Sequence, residues 1–382
     1  MPWQEVSVVT LREEFVALAQ QEGANVRALC RRFEISHSTG YKWLQRAAQG
    51  QSLDDRSRRP KHSPAQCAAH FEQQVRALRQ QHPAWGARKL AHRLRALGMD
   101  PPAPSTVHAI LRRNGLIAPQ ASQAATPWQR FEHPQPNDLW QMDFKGHVAL
   151  LGGARCHPLT ILDDHSRYAL CLHACADEQE STVRQRLQAV MRRYGVPARM
   201  TMDNGSPWGS QQRHYTGLDV WLMRQGIRVS HSRPYHPQTQ GKDERFHRSL
   251  KAEVLQGPPM ADLRQAQAAF ERWRGIYNQQ RPHQALDMGV PLQRYRPSQR
   301  AYCEHPQAPE YGDGDQVRKV QDKGLISWRG RNWRVGGAFI GERVAVRADQ
   351  AHEGLHDVFW STWRIARIDL RSLTASWGRI IE

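Results

Sequence analysis

The stretch DLWQMDF, residues 138–144, places a carboxylate inside an apolar run that is typical of a β-strand. A second aspartate, Asp203, ends the strand-like segment ARMTMD directly before an Asn-Gly turn. Burying a charge at such places costs free energy unless the charge finds a partner or a ligand. Asp143 and Asp203 are therefore candidates for a functional site, together with Glu244 in the first turn of a predicted helix.

Carboxylate oxygens are the donors that Mg²⁺ prefers, and a pair of such ions can activate the attacking oxygen of a phosphoryl transfer and stabilise the leaving one. We therefore expect Asp143, Asp203 and Glu244 to be both catalytic residues and metal ligands, with two Mg²⁺ ions as cofactor and Mn²⁺ as a substitute. The competing interpretation is that these acids solvate surfaces or cap turns, as most carboxylates do. For Asp163 and Asp164, in DDHSR, we favour a turn with local hydrogen bonds.

The segments around these acids alternate between strand and helix patterns. Apolar stretches rich in strand-forming residues occur at 138–144, 156–164, 167–175, 198–203 and 227–231. Helical patterns occur at 181–195, 215–225, 242–255 and 260–279. This order predicts a central α/β core with a mixed sheet.

The front of the chain predicts two small all-α units. Three short helices over 11–23, 25–33 and 36–47 have a helix-turn-helix pattern, and a second unit follows with helices near 65–81, 87–97 and 104–114. More than half of the net positive charge lies in residues 1–130. We expect DNA contacts from the terminal helix of each unit, at Ser38, Thr39, Tyr41, Lys42, Ser105, Thr106 and Arg112. A generic helical bundle with a solvated polar face is the alternative.

Basic side chains elsewhere extend the expected DNA surface. His236, Lys242 and Arg245 flank Glu244 and are expected to contact phosphates, the alternative being a loop histidine and solvated helix charges. Residues 310–382 alternate in short stretches and predict a small β-barrel or sheet. Its Trp and Arg cluster indicates either a surface for DNA or a neighbouring protomer, or core packing of the tryptophans: Trp328, Arg329, Arg331, Trp333 and Arg334.

Composition narrows the class of protein. The formal net charge of +18 attracts polyanions, nucleic acid above all. No apolar run approaches the roughly 18 residues of a membrane span, and the first residues have no secretion-signal pattern, so neither membrane insertion nor secretion is expected. The six cysteines form no CxxC pair, which argues against a disulfide framework and a structural zinc site.

Three motifs resemble a known family in sequence and order: W-Q-M-D-F, T-M-D-N-G and Y-H-P-Q-T-Q-G-K-D-E-R-F-H-R-S-L-K. They are similar to the DDE transposases of the retroviral-integrase superfamily, in particular to single-protein bacterial insertion-sequence transposases. H-P-A-W-G at 82–86 and N-Q-Q-R-P-H-Q-A-L are similar to these transposases as well. The resemblance implies an RNase H-like core with Asp143, Asp203 and Glu244 as its triad. The gap between Asp203 and Glu244 is slightly longer than is usual in the family, but G-K-D-E-R-F-H selects Glu244 over Asp243.

The sequence thus predicts a multidomain chain with N-terminal all-α helix-turn-helix units, a central α/β RNase H-like core with a mixed sheet, and a small C-terminal β-barrel or sheet. The Pro-, Gln- and Ala-rich stretch after the second unit predicts a linker. The expected boundaries are 1–60 and 61–117 for the two helix-turn-helix domains, 118–135 for the linker, 136–300 for the catalytic domain with trailing helices, and 301–382 for the β domain.

The resemblance also implies a function. It is that of a transposase that uses metal ions to cleave at transposon ends and to transfer the 3′-OH into target DNA. The expected partners are double-stranded DNA, as terminal inverted repeats and as target, and other copies of the chain, at least a dimer on DNA, with no membrane. The expected location is the bacterial cytoplasm, in association with the nucleoid. Two alternatives stay open: an RNase H-like structure-specific nuclease without strand transfer, and a noncatalytic DNA-binding regulator.

Overall fold

The computed structural model of the chain describes residues 7–56, 67–117, 132–205, 207–208, 214–231 and 241–378. These residues belong to two compact units, one within residues 1–66 and the other within residues 67–382. Among the described residues, no helix is long and apolar enough to cross a membrane. His236 and most of the predicted linker lie outside the described residues.

The first unit consists of three short helices: α1 (Val8–Ala19), α2 (Val26–Arg32) and α3 (His37–Ala48). The side chain of Ser36 accepts a hydrogen bond from the backbone N–H of Thr39 and so caps α3, as the sequence predicts. Gly40 lets α3 approach α2 closely, because a Cβ atom at this position would lie 2.5 Å from the sulfur of Cys30. Phe15 and Trp43 complete a buried core with Cys30.

The second unit begins with three more helices: α4 (Ala69–Gln81), α5 (Ala87–Ala96) and α6 (Pro104–Arg113). Their apolar faces meet around Trp85, which is fully buried together with Leu90 and Ile110. The guanidinium of Arg79 donates to the backbone carbonyls of Trp85 and Leu116, at 2.7 and 2.9 Å, and closes the bundle. The six predicted helices before residue 117 are therefore confirmed.

A six-stranded mixed sheet forms the centre of the second unit. Its strands are β1 (Leu139–Phe144), β2 (Val148–Ala149), β3 (Arg155–Asp163), β4 (Ala169–Cys175), β5 (Arg199–Met202) and β6 (Arg228–His231). The main order is β4-β3-β1-β5-β6, with β2 paired to the start of β3. Strands β1, β5 and β6 run parallel, and β3 is antiparallel to β1 and β4. The predicted mixed sheet is confirmed, and β2 is an addition too short for the sequence to reveal.

Helices cover both faces of this sheet: α7 (Glu180–Tyr194), α8 (Gly217–Arg224), α9 (Gly241–Leu250), α10 (Leu263–Gln279) and the short α11 (Pro291–Arg294). Along β1, Trp140 and Met142 enter the core that contains α7 and α8. Successive side chains of a strand point to opposite faces, so Gln141 and Asp143 point to the other face. That face carries α9 and α10, whose Phe246 and similar apolar residues form a separate core.

The last part of the chain is a small antiparallel domain. Its strands are β7 (Gln316–Lys319), β8 (Leu325–Trp328), β9 (Arg331–Arg334), β10 (Arg343–Ala348), β11 (Leu355–Trp360), β12 (Trp363–Asp369) and β13 (Thr374–Trp377). Five strands form a sheet in the order β13-β12-β11-β10-β7, and β8 and β9 form a hairpin that contacts β7 and β13. The predicted sheet is confirmed, whereas the described strands do not close into the alternative barrel, because β7 and β13 are not hydrogen-bonded neighbours.

Packing explains the tryptophans of this domain. Trp328 and Trp333 are buried in its core, so the core-packing interpretation holds for both. Val220 and Met223 of α8 belong to the same apolar cluster, which joins the domain to the central sheet region. Among the arginines, Arg329 lies over the ring of Trp328, with its guanidinium carbon 4.9 Å from the ring centroid.

Candidate metal centre and DNA-binding surfaces

Asp143 and Asp203 lie at the C-terminal ends of two neighbouring strands of the central sheet, β1 and β5. In the parallel pairing of β1 with β5, Gln141 is opposite Thr201. Continuing this register by two residues along each strand places Asp143 beside Asp203, and the period of two sends both side chains to the face that carries α9. The structure therefore brings together two acids that the sequence separates widely.

The two carboxylates affect each other electrostatically. Burial raises the pKa of Asp143 to about 7, and the negative charge of Asp203 contributes to that rise. Like charges that share a site disfavour ionisation of one another, and a bound cation relieves this repulsion. The pair thus has the electrostatics of a cation site, with hard oxygen donors that suit Mg²⁺.

Hydrogen bonds fix the position of Asp203. Its Oδ1 atom accepts a bond of 2.8 Å from the backbone N–H of Gly205 and another from the indole N–H of Trp208. The ring of Trp208 also stacks on Phe144, with centroids 5.0 Å apart, and so ties β1 to the turn after β5. On the other side, Nδ1 of His231 lies 2.6 Å from the backbone oxygen of Asp203.

Glu244 lies in the first turn of α9 with its side chain exposed. Helix α9 reaches the two aspartates through His247, whose Nδ1 lies 3.7 Å from Oδ2 of Asp143. Residues three apart on a helix are neighbours on its surface, so Glu244 lies one turn from His247. Among the described residues, no group of three or more His, Cys, Asp or Glu side chains is placed to hold a metal ion. Glu244 as the third ligand therefore stays a prediction.

A buried polar layer separates α9 from β1 and β3. We call it the α9 layer; its members are Gln141, Asp143, Thr160, Asp164, Lys242, Asp243 and His247. The Oγ1 atom of Thr160 lies 2.9 Å from Nε2 of His247 and donates to the backbone oxygen of Asp143. Burial lowers the pKa of His247 to about 3, which keeps its ring neutral. The layer thus positions Asp143 through a neutral hydrogen-bonded chain.

Asp164 and Asp243 are both buried in the α9 layer but have opposite surroundings. Asp164 accepts hydrogen bonds from Gln141, the ammonium of Lys242 and the backbone N–H of His133. Asp243 is 0% exposed, and neither of its buried carboxylate oxygens has a hydrogen-bond partner among the described residues. Burial, and then the charges of Asp143 and Asp164, raise the pKa of Asp243 well above its ordinary value.

The DDHSR segment forms a turn, in agreement with the interpretation favoured from the sequence. Oδ1 of Asp163 accepts bonds from the backbone N–H and the hydroxyl of Ser166. Its Oδ2 accepts a bond of 2.6 Å from the backbone N–H of Asn137, just before β1. Asp163 therefore holds the turn and the entry to β1 rather than a metal.

Two neighbours of the aspartates escaped the sequence analysis. Trp208 lies in the segment PWGSQQRHYTGLD, where nothing in the sequence marks it as a donor to Asp203. His247 could have been found, because it follows Asp243 by four residues and so shares the buried side of the helix. The structure adds both to the residues that position the site.

The predicted DNA contacts on α3 and α6 are accessible. Ser38, Tyr41 and Lys42 are exposed on α3, and Tyr41 has 57% of its surface free. Ser105 and Arg112 are exposed on α6. The other predicted contacts, Thr39 on α3 and Thr106 on α6, are half-exposed. Both helices thus present polar side chains to solvent, as an element that enters a DNA groove must.

The three DNA contacts predicted near Glu244 differ in their placement. Arg245 is exposed on α9. Lys242 is paired with the buried carboxylate of Asp164, which gives its ammonium a structural partner and disfavours the predicted phosphate contact. His236 lies outside the described residues.

Family models match nearly every part of the chain. Integrase core domain models match residues 133–237 and 225–291, and the model of the IS481 family transposase, C-terminal domain, matches residues 315–376. In these regions the chain is similar to insertion-sequence transposases with an integrase-type core. Nearer the start of the chain, a helix-turn-helix domain model matches residues 11–61 and a homeodomain-like domain model matches residues 39–111.

Proteins similar to this chain occur in bacterial insertion elements and in a virus. An uncharacterized protein of insertion element IS407 from Burkholderia multivorans is 28% identical over 173 residues, 45% of this chain and 60% of the relative. An uncharacterized protein of IS476 from Xanthomonas euvesicatoria is 28% identical over 41% of this chain and 44% of the relative. The Pro-Pol polyprotein of Simian foamy virus type 3 is 29% identical over 38% of this chain and 12% of its own length. The chain thus spans less than two thirds of each of these relatives.

Two solved structures of viral proteins have some similarity to the chain. The HTLV-2 integrase catalytic core domain in complex with magnesium is 19% identical, with a TM-score of 0.32, over 43% of this chain and 99% of that chain. A simian T-cell lymphotropic virus intasome in complex with PP2A regulatory subunit B56 gamma is 14% identical, with a TM-score of 0.38, over 81% of this chain and 100% of that chain. At such scores the fold of this chain rests on its own strand order and not on these structures.

Proposed function

We propose that the chain is a metal-dependent transposase that cleaves DNA at the ends of its element and joins the freed 3′-OH to target DNA. The observation that carries the proposal is the pair Asp143 and Asp203, which end adjacent parallel strands on one face of the sheet. Their mutual repulsion and oxygen chemistry fit divalent cations, specifically two Mg²⁺ ions with Mn²⁺ as a substitute. The integrase core models that match this region support the assignment.

Asp143, Asp203 and Glu244 are the proposed ligands and catalytic residues. Bound divalent cations would supply activation of the attacking oxygen and stabilisation of the leaving one. Gly205 and Trp208 hold the carboxylate of Asp203, and His247 lies against Asp143, so two of the three ligands are fixed before DNA arrives. Such preorganisation lowers the barrier, since little reorganisation is left to the reaction itself.

The chemistry of joining conserves phosphodiester bonds. The 3′-oxygen of the element end forms a new P–O bond with a target phosphate while the P–O3′ bond of the target breaks. The proton of the attacking hydroxyl passes to solvent and the departing 3′-oxygen takes one up. No covalent bond between protein and DNA is required, so the chain needs no Ser or Tyr nucleophile.

The remaining domains supply DNA binding in this proposal. Helices α3 and α6 would read the terminal inverted repeats with the exposed side chains described above, and Arg245 would contact a phosphate near Glu244. Two element ends require two active sites, so we propose at least a dimer on DNA. This assembly would work at the bacterial nucleoid, in the cytoplasm. The domain boundaries at residues 60, 117, 135 and 300 are part of the same proposal.

The test is a joining reaction with labelled element-end DNA, a plasmid target and Mg²⁺. Wild type should yield joined products, and Glu244→Gln should yield none while binding the same DNA. Glu310→Gln is the matched control, because Glu310 is an exposed glutamate outside the sheet of the core. Cleavage without joined products would indicate the nuclease instead. If Asp203→Asn left every activity unchanged, the chain would be a noncatalytic regulator.

A further inference from the structure

The first turn of α9 carries a buried acid that the proposed mechanism does not use. Asp243 precedes the proposed ligand Glu244, and consecutive residues of a helix point about 100° apart. Glu244 therefore faces solvent while Asp243 faces the α9 layer, where it is 0% exposed. No residue of the layer donates a hydrogen bond to its carboxylate, and within the part of the chain that the structure describes both buried oxygens have no such donor.

Such a group is costly to keep. A buried polar group without a hydrogen bond destabilises a protein by about 1 to 3 kcal/mol, and more when it is charged. The layer offers donors, but Gln141 and Lys242 both donate to Asp164. The carboxylate of Asp243 instead faces the charges of Asp143 and Asp164. Without a bound metal, a smaller or neutral residue at this position would stabilise the fold at least as well.

A cation beside Asp143 changes this balance. Coulomb attraction between a divalent ion and a carboxylate is strong in a buried, weakly polarisable environment, even without direct ligation. Partners of metal ligands commonly tune affinity in this way. We propose that Asp243 is a positioning residue of the metal centre, whose unpartnered carboxylate beneath Asp143 raises the affinity of the site for a divalent cation. The inference rests on the proposed function, because it presupposes cation binding at Asp143 and Asp203.

The experiment measures Mn²⁺ binding and thermal unfolding of the full chain without DNA. Asp243→Asn replaces the ionisable carboxyl group by an amide of the same shape. We expect its affinity for Mn²⁺ to fall about tenfold, as for other groups that act through a ligand. Its midpoint of unfolding without metal should stay the same or rise, and the rise caused by Mn²⁺ should shrink. Asp243→Glu keeps the charge and should retain most of the affinity.

Two controls separate this role from a structural one. Asp313→Asn removes an exposed acid of the C-terminal domain and should change neither quantity. Asp164→Asn removes a fully bonded acid of the same layer and should lower the metal-free midpoint, in contrast to Asp243→Asn. Unchanged Mn²⁺ affinity in Asp243→Asn would overturn the inference, as would a lowered metal-free midpoint with the metal-induced rise intact.

The outcomes also separate this inference from the proposed function. If wild type binds Mn²⁺ and Asp203→Asn does not, while Asp243→Asn binds as wild type does, the metal centre stands and only the role of Asp243 fails. If wild type shows no Mn²⁺ binding that depends on Asp203, the metal centre and the inference fail together.

Discussion

The two ends of the α9 layer treat their carboxylates in opposite ways. At one end, Asp164 is buried with three donors around it, including the ammonium of Lys242. At the other end, Asp143 has its pKa raised to about 7 by burial and by Asp203, and Asp243 has no hydrogen-bond partner among the residues that the structure describes. One layer thus contains an acid with three donors, Asp164, and an acid without a hydrogen-bond partner among the described residues, Asp243.

This difference separates structure from function. A buried acid with a full set of donors stabilises the fold, and breaking its pairing leaves the partners uncompensated. Acids that repel one another in a cleft destabilise the empty protein and become favourable only when a cation arrives. The α9 layer therefore predicts opposite consequences for substitutions at its two ends, and these consequences can be measured.

The largest effect is expected at the metal end. Asp143→Asn and Asp203→Asn should each lower the rate of joining by about a thousandfold or more, equivalent to about 4 kcal/mol in activation free energy. Single-turnover joining assays measure this loss. Binding of element-end DNA should be nearly unchanged, because α3 and α6 are untouched. Loss of DNA binding together with activity would show that the substitutions act on the fold. The distinction between the two ends of the α9 layer would then fail.

The next largest effect is expected at the satisfied end. Asp164→Ala should destabilise the second unit by about 3 kcal/mol, because it leaves Lys242 buried without its partner. Denaturant unfolding followed by tryptophan fluorescence measures the change. Asp313→Asn serves as the exposed control and should stay within about 0.5 kcal/mol of wild type. A stabilised Asp164→Ala variant would contradict the distinction between the two ends.

A smaller effect is expected from Trp208. Trp208→Phe keeps the stacking on Phe144 but removes the hydrogen bond to Asp203. A bond to a charged group is worth about 1.5 kcal/mol, so joining should fall about tenfold with little change in DNA affinity. Trp221→Phe makes the same substitution in the core of α8 and is the matched control. Equal joining rates in both variants would remove Trp208 from the site.

The smallest effect is expected on the exposed helices, away from the α9 layer. Lys42→Ala and Arg112→Ala should each weaken binding of element-end DNA a few-fold and reduce the slope of log affinity against log salt by about 1. Arg113→Ala is the control, because its guanidinium is already paired with the carboxylate of Glu72. An unchanged slope for Arg112→Ala, or a changed one for Arg113→Ala, would show that α6 does not contact phosphates as proposed.

Local patterns predicted most of the fold. The apolar run DLWQMDF predicted β1, and the Ser36 cap predicted the start of α3. Long-range pairing could not be predicted in this way. The alternation in residues 310–382 predicted strands, but whether β7 and β13 pair to close a barrel depends on contacts that no local pattern contains.

The site was predictable only in part, because local motifs identify its residues but not the long-range contacts between them. The motifs selected Asp143, Asp203 and Glu244, and the register of β1 with β5 places the first two side by side. The pairing of Lys242 with Asp164 joins distant segments, so its solvated or phosphate-binding alternatives could not be decided from the sequence. Adjacent residues of a helix point in different directions, so the sequence predicted that only one of Asp243 and Glu244 faces the site. It did not predict that Asp243 is the buried one.

Anomalous X-ray diffraction from crystals of the chain with Mn²⁺ tests the central claim most directly. The account predicts manganese bound between the carboxylates of Asp143 and Asp203, with Glu244 turned toward it as the third ligand. Manganese bound elsewhere, or absent between these aspartates at a concentration that supports joining, would contradict it.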